Sequence, residues 1–291
     1  MELTAVLLVL ASTATHAYWN FLIKRSGGGS TFIGLSKVAE VFLFAPVFII
    51  WYSPVFRDVL HAWPLIAIGA FLTLTNYVAL GRAYETGDLS VVYPVARGGT
   101  LIFLPTFGFL VFGERLSFIG WVAIACIVAG IVTIRLPAFD LASVRRLGRM
   151  LWHPSIAYAL LAALSTASYT VWDKRSVQIL PAFAYFYSYS VIVGVLYAAF
   201  LRTRHTMPAL RAEWRIHGWP IVQVGFFNTT SYWLVLIALK SGTSSYVLAL
   251  RQLSIGIGVL LGWKLLGEDL APPKQVGVGL LVAGCLLVAL A

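Results

Sequence analysis

Ten apolar stretches, each close to twenty residues, follow one another at roughly 3–23, 32–52, 63–83, 89–112, 117–135, 155–173, 182–201, 218–239, 244–263 and 274–290. A helix needs about 20 mainly apolar residues to cross the hydrocarbon core of a bilayer. The runs are too long for strands and lack strict alternation of apolar and polar residues. The expected fold is therefore all-α and integral to a membrane, with ten transmembrane helices. Composition agrees: 60% of the residues are hydrophobic and 11% are charged, against about a quarter charged in soluble domains.

The N-terminal run has no basic leader and no small-residue cleavage site, so it reads as a retained first span rather than a signal peptide. The two longest loops, 136–154 and 202–217, are rich in arginine and leave no room for a soluble catalytic domain. Cys126 and Cys285 lie inside apolar runs, with no disulfide framework and no metal-ligand spacing. No cofactor and no metal are expected. The net charge of +10 is spread over short loops. With no basic stripe or stacking module, a nucleic-acid partner is excluded.

The two halves resemble one another. Ser12-Thr13-Ala14 falls on Ser165-Thr166-Ala167 at a shift of 153, His16 on Tyr169, Trp19 on Trp172 and Asn20 on Asp173. "GAFLTLTNY" (69–77) falls on "GFFNTTSYW" (225–233) at a shift of 156. From there the shift is 154, which places Arg97 on Arg251, Gly113-Glu114 on Gly267-Glu268, and Gly130 on Gly284. Five spans per half is an odd number, so the second half enters the membrane from the opposite side. Such inverted repeats place a binding site near the midplane of many secondary transporters. The expected division is a first five-helix repeat at 1–140, an inter-repeat loop at 141–154, and a second repeat at 155–291.

Arg97 lies nine residues into the fourth span, counting from Asp88 as its cap. At ~1.5 Å per residue that is roughly 14 Å deep, about half of the ~30 Å core. Arg251 is equally deep in the ninth span. A midplane arginine costs about 2.5 kcal/mol or more and needs a wet cavity or a partner. Glu40 in the second span is the expected partner of Arg97, with Lys37 one turn earlier as its competitor. The rival to a cavity role is an ion pair that only fixes packing.

On the first span Ser12, His16, Trp19 and Asn20 share a face. Ser165, Tyr169, Trp172 and Asp173 share one on the sixth. Thr73, Asn76 and Tyr77 extend this polar lining on the third span, and Thr229, Tyr232 and Trp233 extend it on the eighth. Tyr93 lies one turn before Arg97. The expected substrate-binding set is His16, Trp19, Asn20, Asn76, Tyr77, Tyr93, Arg97, Tyr169, Trp172, Tyr232, Trp233 and Arg251, with Glu40 as the coupling candidate if protons drive transport. Aromatics at span ends also serve as interface anchors, a second reading of Trp19 and Trp172. Pro94 and Pro105 are expected to interrupt the fourth span, and Gly258 and Gly262 to pack the ninth against a neighbour.

"HAYWNFLIKRS", "GDLSVVYPVARG" and "GERLSFIGWVAIACIVAGIV" resemble the first repeat of EamA-type transporters of the drug/metabolite transporter superfamily, and "LRQLSIGIGVLLGWKLLGEDL" resembles the second. The resemblance covers essentially the whole chain. It implies two inverted five-helix halves around a central cavity, and members that move amino acids, sugars, nucleotides or drugs. Small multidrug members use a membrane glutamate in their first helix. Span one here offers only His16 and Asn20.

The expected activity is secondary, ATP-independent transport of a small anionic or zwitterionic metabolite, such as an amino acid, by alternating access. Two midplane arginines and a histidine suit an acidic group through charge-assisted hydrogen bonds. The alternative is a membrane-bound lipid-handling scaffold or enzyme, although HExxH, GxSxG and phosphate-loop motifs are absent, so an enzyme is not expected. The expected partners are a small-molecule substrate and a lipid bilayer, the chain being a monomer or homodimer in the cytoplasmic (inner) membrane. Thirteen loop Lys and Arg residues lie on the side away from the termini and five on the side of the termini. Positive-inside places both termini outside; the resemblance implies that both are inside.

Overall fold

The computed structural model of the chain describes residues 2–27, 29–150 and 152–291. Thirteen α-helices make it up: α1 Leu3–Arg25, α2 Ser30–Tyr52, α3 Phe56–His61, α4 Trp63–Thr86, α5 Leu89–Phe112, α6 Phe118–Ile134, α7 Leu141–Met150, α8 Ser155–Ser176, α9 Ala182–Arg204, α10 Met207–Ser241, α11 Ser244–Arg251, α12 Leu253–Leu266 and α13 Pro272–Leu290. A 3₁₀ turn at Ser53–Val55 joins α2 to α3. Nine candidate spans among the described residues are long and apolar enough to cross a membrane, α11 and α12 counting together as one; α6, at 17 residues, is the shorter tenth. Phe42, Leu110 and Phe118 are exposed on the outer surface, as side chains facing lipid tails should be.

Sequence chemistry sets the helix ends. Asp88 caps α5 by accepting from the Ser90 N–H at 2.9 Å, and Ser117 caps α6 by accepting from the Gly120 N–H at 3.1 Å. Gly113 and Gly267 end α5 and α12 with φ of 67°, the left-handed cap that favours glycine. Trp219-Pro220 breaks the regular course of α10: His217 has φ −121° and ψ 16° there, because proline crowds the preceding turn. The expected interruption of the fourth span is not found. α5 runs unbroken through Pro94 and Pro105, whereas the ninth span, expected to be continuous, divides into α11 and α12 at Gln252. The inter-repeat loop contains α7, whose start is tied by Asp140 accepting from the Ser143 N–H at 2.6 Å.

Helix packing follows a reciprocal pattern. α1 lies against α10 and α4 against α8; α5 lies against α8 and α12 against α1; α2 meets α10 and α4 meets α9. α2–α9 and α6–α13 complete the set. Exchanging the first five spans for the last five leaves this set of pairs unchanged. The polar contacts repeat too. Ser12 Oγ donates to the Ser231 carbonyl at 2.8 Å across α1–α10, and Ser165 Oγ donates to the Leu72 carbonyl at 2.8 Å across α8–α4. Between α6 and α13 the backbones nearly touch: a Cβ on Gly130 would meet the Gly277 carbonyl at 2.8 Å, and one on Gly284 would meet the Ala123 carbonyl at 2.8 Å. Small residues permit this approach, and dispersion between close backbones holds it. The expected Gly258–Gly262 packing pair does not form: Gly258 has no neighbour within 4 Å of a Cβ, and Gly262 faces the Glu268 carboxylate.

Candidate functional site

α1, α2, α4, α5, α8, α9, α10 and the α11–α12 segment surround one cavity of about 1340 Å³. It reaches the end of the bundle where Lys24, Arg82, Arg204, Glu268 and Lys274 lie. None of its lining residues comes from the opposite end, where Glu114, Lys174 and Gly242 meet.

Ten residues of the expected binding set line the cavity: His16, Trp19, Asn20, Asn76, Tyr77, Tyr93, Arg97, Tyr169, Tyr232 and Arg251. Arg251 donates from Nη2 to His16 Nδ1 at 3.0 Å. A guanidinium only donates, so Nδ1 must accept, and His16 is neutral with its proton on Nε2. His16 in turn meets the Trp19 ring edge to face at 4.9 Å. The indole N–H of Trp19 and the Arg251 Nε–H are buried without a protein partner among the described residues. Arg97 Cζ lies 5.8 Å from the centre of the Tyr93 ring, and Arg251 Cζ lies 5.3 Å from that of Tyr232; cation–π attraction contributes to both contacts.

Two members of the expected set do not reach the cavity. Trp172 turns to α4, where its Nε1–H donates to the Leu65 carbonyl at 2.9 Å. Trp233 packs edge to face on Phe183 at 5.3 Å. Each is on the predicted helix, but a polar stripe on an isolated helix does not say which neighbour covers which edge. Asn76 lines the wall with its amide already committed, donating to the Ala162 carbonyl at 2.9 Å and Thr166 Oγ1 at 2.7 Å.

The expected Arg97–Glu40 pair does not form. Glu40 accepts from Lys37, one turn back on the same helix, at 3.2 Å and from Asn228 Nδ2 at 3.0 Å. Arg97 and Arg251 form no ion pair among the described residues. A third arginine joins them: Arg135, outside the expected binding set, lines the same cavity with Cζ 4.4 Å from the centre of the Tyr93 ring. Its sequence signal is its position as the last residue of an apolar run. Asp173, on the shared polar face of the sixth span, is the last residue of that run and outside the expected binding set. Asp173 is 1% exposed, and the hydroxyls of Tyr185 and Tyr232 both donate to it.

A solved crystal structure matches the fold with a TM-score of 0.78 at 15% identity, covering 100% of this chain and 99% of that one. The spermidine export protein MdtI of Cronobacter sakazakii is 30% identical over 104 residues, which is 36% of this chain and 85% of that protein; its namesake from Shigella flexneri is 32% identical over the same length and shares. The model of the EamA-like transporter family matches residues 153–290. With its apolar helices gathered around one cavity, this multi-pass membrane chain belongs to the EamA-like transporter family of the drug/metabolite transporter superfamily.

Proposed function

We propose that this membrane transporter carries a small anionic or zwitterionic metabolite, with an acidic group held by the arginines of the cavity, and that it works by alternating access without ATP. One observation carries the reading. Arg97, Arg135 and Arg251 line the cavity without an ion pair among the described residues, whereas its carboxylates Glu40, Glu85 and Glu268 are each paired with a lysine or arginine. Cations gathered in a cavity between apolar helices call for counter-charge. An acidic substrate supplies it through charge-assisted hydrogen bonds, and His16 Nε2–H and the Trp19 N–H are further donors. Tyr77, Tyr93, Tyr169 and Tyr232 suit an apolar or aromatic body.

The names of two relatives raise a second reading, transport of spermidine, a polycation. A cavity whose carboxylates are already paired holds no free counter-charge for it, which favours the anion. The membrane-bound scaffold or enzyme stays as the alternative to transport itself. The reciprocal helix contacts support two inverted repeats, 1–140 and 155–291, joined by 141–154. The open mouth lies at the end with more loop Lys and Arg residues, which the positive-inside rule assigns to the cytoplasm.

Uptake into liposomes containing only the purified protein tests the proposal. A panel of labelled amino acids and organic acids, with spermidine beside it, should yield an anion or zwitterion that enters. Its uptake should fall on the order of tenfold or more in Arg97→Leu, the effect of losing a hydrogen bond to a charged group, and fall less in Arg97→Lys, which keeps charge but loses the planar fork. Uptake of spermidine alone would overturn the anion reading, and uptake of nothing in the panel would favour the scaffold or enzyme.

A further inference from the structure

We propose that Asp173 is a proton site of the transporter, loaded from the cavity through Tyr232 and filled together with an anion at Arg251. The second half of that statement rests on the anion reading above; the first does not.

Asp173 is 1% exposed and has no cationic partner among the described residues. α9 presents Tyr185, whose hydroxyl donates to Oδ1 at 2.7 Å, and α10 presents Tyr232, whose hydroxyl donates to Oδ2. Tyr189 of α9 lies edge to face beside Tyr185, with ring centres 5.3 Å apart. α4 presents Gly69 beneath the Tyr185 hydroxyl. Lys174, next in the chain, turns away to Glu114 at 2.5 Å and the Gly242 carbonyl at 2.7 Å. On α5, Arg97 lines the same cavity as Tyr169, one turn earlier on α8. From α11, Arg251 meets the ring of Tyr232, with Cζ 5.3 Å from its centre. An ionised carboxylate here lacks both water and an adjacent counter-charge, and a bound proton removes that cost. Glu40 differs in its contacts: it accepts from Lys37 Nζ and from Asn228 Nδ2.

Tyr232 lines the cavity and touches Asp173, so it bridges water and carboxylate. In the transfer, a hydronium ion in the cavity gives a proton to the Tyr232 oxygen while the existing hydroxyl proton passes to Asp173 Oδ2. Two O–H bonds break and two form, the hydronium becomes water, Tyr232 ends neutral, and the carboxylate becomes a carboxylic acid. The positive charge of Arg251 favours the ionised form of Asp173. An anion seated on Arg251 cancels that field and draws the proton on. By reciprocity, a proton on Asp173 tightens anion binding. Anion and proton therefore travel in the same direction.

Infrared difference spectroscopy of the purified full chain tests both halves. At neutral pH the wild type should show the carbonyl stretch of a buried protonated carboxyl. Asp173→Asn, nearly isosteric, should lose that band and Glu40→Gln should keep it. Tyr232→Phe should keep the band while its exchange with deuterium slows at least tenfold. No band in the wild type, or its survival in Asp173→Asn, overturns the proton site; unchanged exchange in Tyr232→Phe overturns the route. Glutamate and inorganic phosphate then serve as probe anions. Either should move the titration of the band to higher pH in the wild type and not in Arg251→Leu. If neither moves it, the proton site stands and the joint filling with an anion is overturned.

Discussion

Glu114 and Glu268 sit in the same local structure at the two ends of the bundle, and only one of them is sealed in. Each follows a glycine with φ of 67°, Gly113 or Gly267. Each backbone N–H reaches back to a glycine carbonyl at 3.2 Å, Gly108 or Gly262. The carboxylates lie over those same glycines, so that a Cβ there would meet an oxygen at 2.5 or 2.7 Å. Each pairs with the lysine of a Lys-Arg-Ser triplet, Lys174 or Lys24. Beyond that the ends part. Glu114 also accepts from the Ser244 N–H at 3.0 and 3.1 Å and from its hydroxyl at 2.6 Å, closing over the N-terminus of α11. Its pair with Lys174 is 9% and 14% exposed, whereas the Lys24–Glu268 pair is 56% and 34% exposed at the cavity mouth. Tyr246 adds a bond from the Ser117 N–H at 3.1 Å at the sealed end; its counterpart at the shift of 154 is Val92, which has no hydroxyl. Closure at one end thus consists of a carboxylate docked on a helix N-terminus, where backbone N–H groups and the helix dipole favour negative charge. The other end holds the same parts undocked.

If the ends exchange roles during transport, the shift of 154 names the contacts of the opposite state. Glu268 docks on Ser90 at the start of α5, and Lys24 reaches the backbone carbonyl of Asp88, the counterpart of Gly242. The largest effect is therefore expected from Ser90→Cys with Glu268→Cys. Oxidation should join the two and drop uptake to background, and reduction should restore it. Cross-linked protein that transports like the wild type would break the comparison. Next is Glu114→Gln, which leaves Lys174 largely buried without its charge partner. That end should lose about 3–5 kcal/mol, read as a lower melting temperature and faster labelling of a cysteine placed at Thr243. Tyr246→Phe should cost about 1 kcal/mol, the worth of a typical hydrogen bond, with the same labelling change in milder form. Smallest is Glu268→Gln, where an exposed pair is worth at most about 1 kcal/mol. Equal shifts in the melting temperatures of Glu114→Gln and Glu268→Gln would remove the distinction between the ends.

Much of the fold and of the cavity lining is legible in the order of residues alone. All ten apolar runs form helices because hydropathy over some twenty residues depends only on those residues. The shared faces of α1, α4, α8 and α10 are legible as well, since helical periodicity sets which residues point the same way. That is why ten of the twelve expected binding residues line one cavity.

What the sequence by itself determined is thus the membrane class, the spans, the landmarks of the repeat and the presence of arginines within apolar runs. Only the tertiary structure decided who pairs with whom. Glu40 took Lys37 rather than Arg97, Arg135 joined the cavity, Trp172 and Trp233 turned to other helices, and Asp173 was left with two tyrosines and no cation among the described residues. It also decided which of two matching glutamates was sealed. The reason is physical. Burial along one helix is a sum over neighbouring residues, whereas hydrogen bonds and ion pairs act over about 3 Å, a distance that exists between helices only after they have packed.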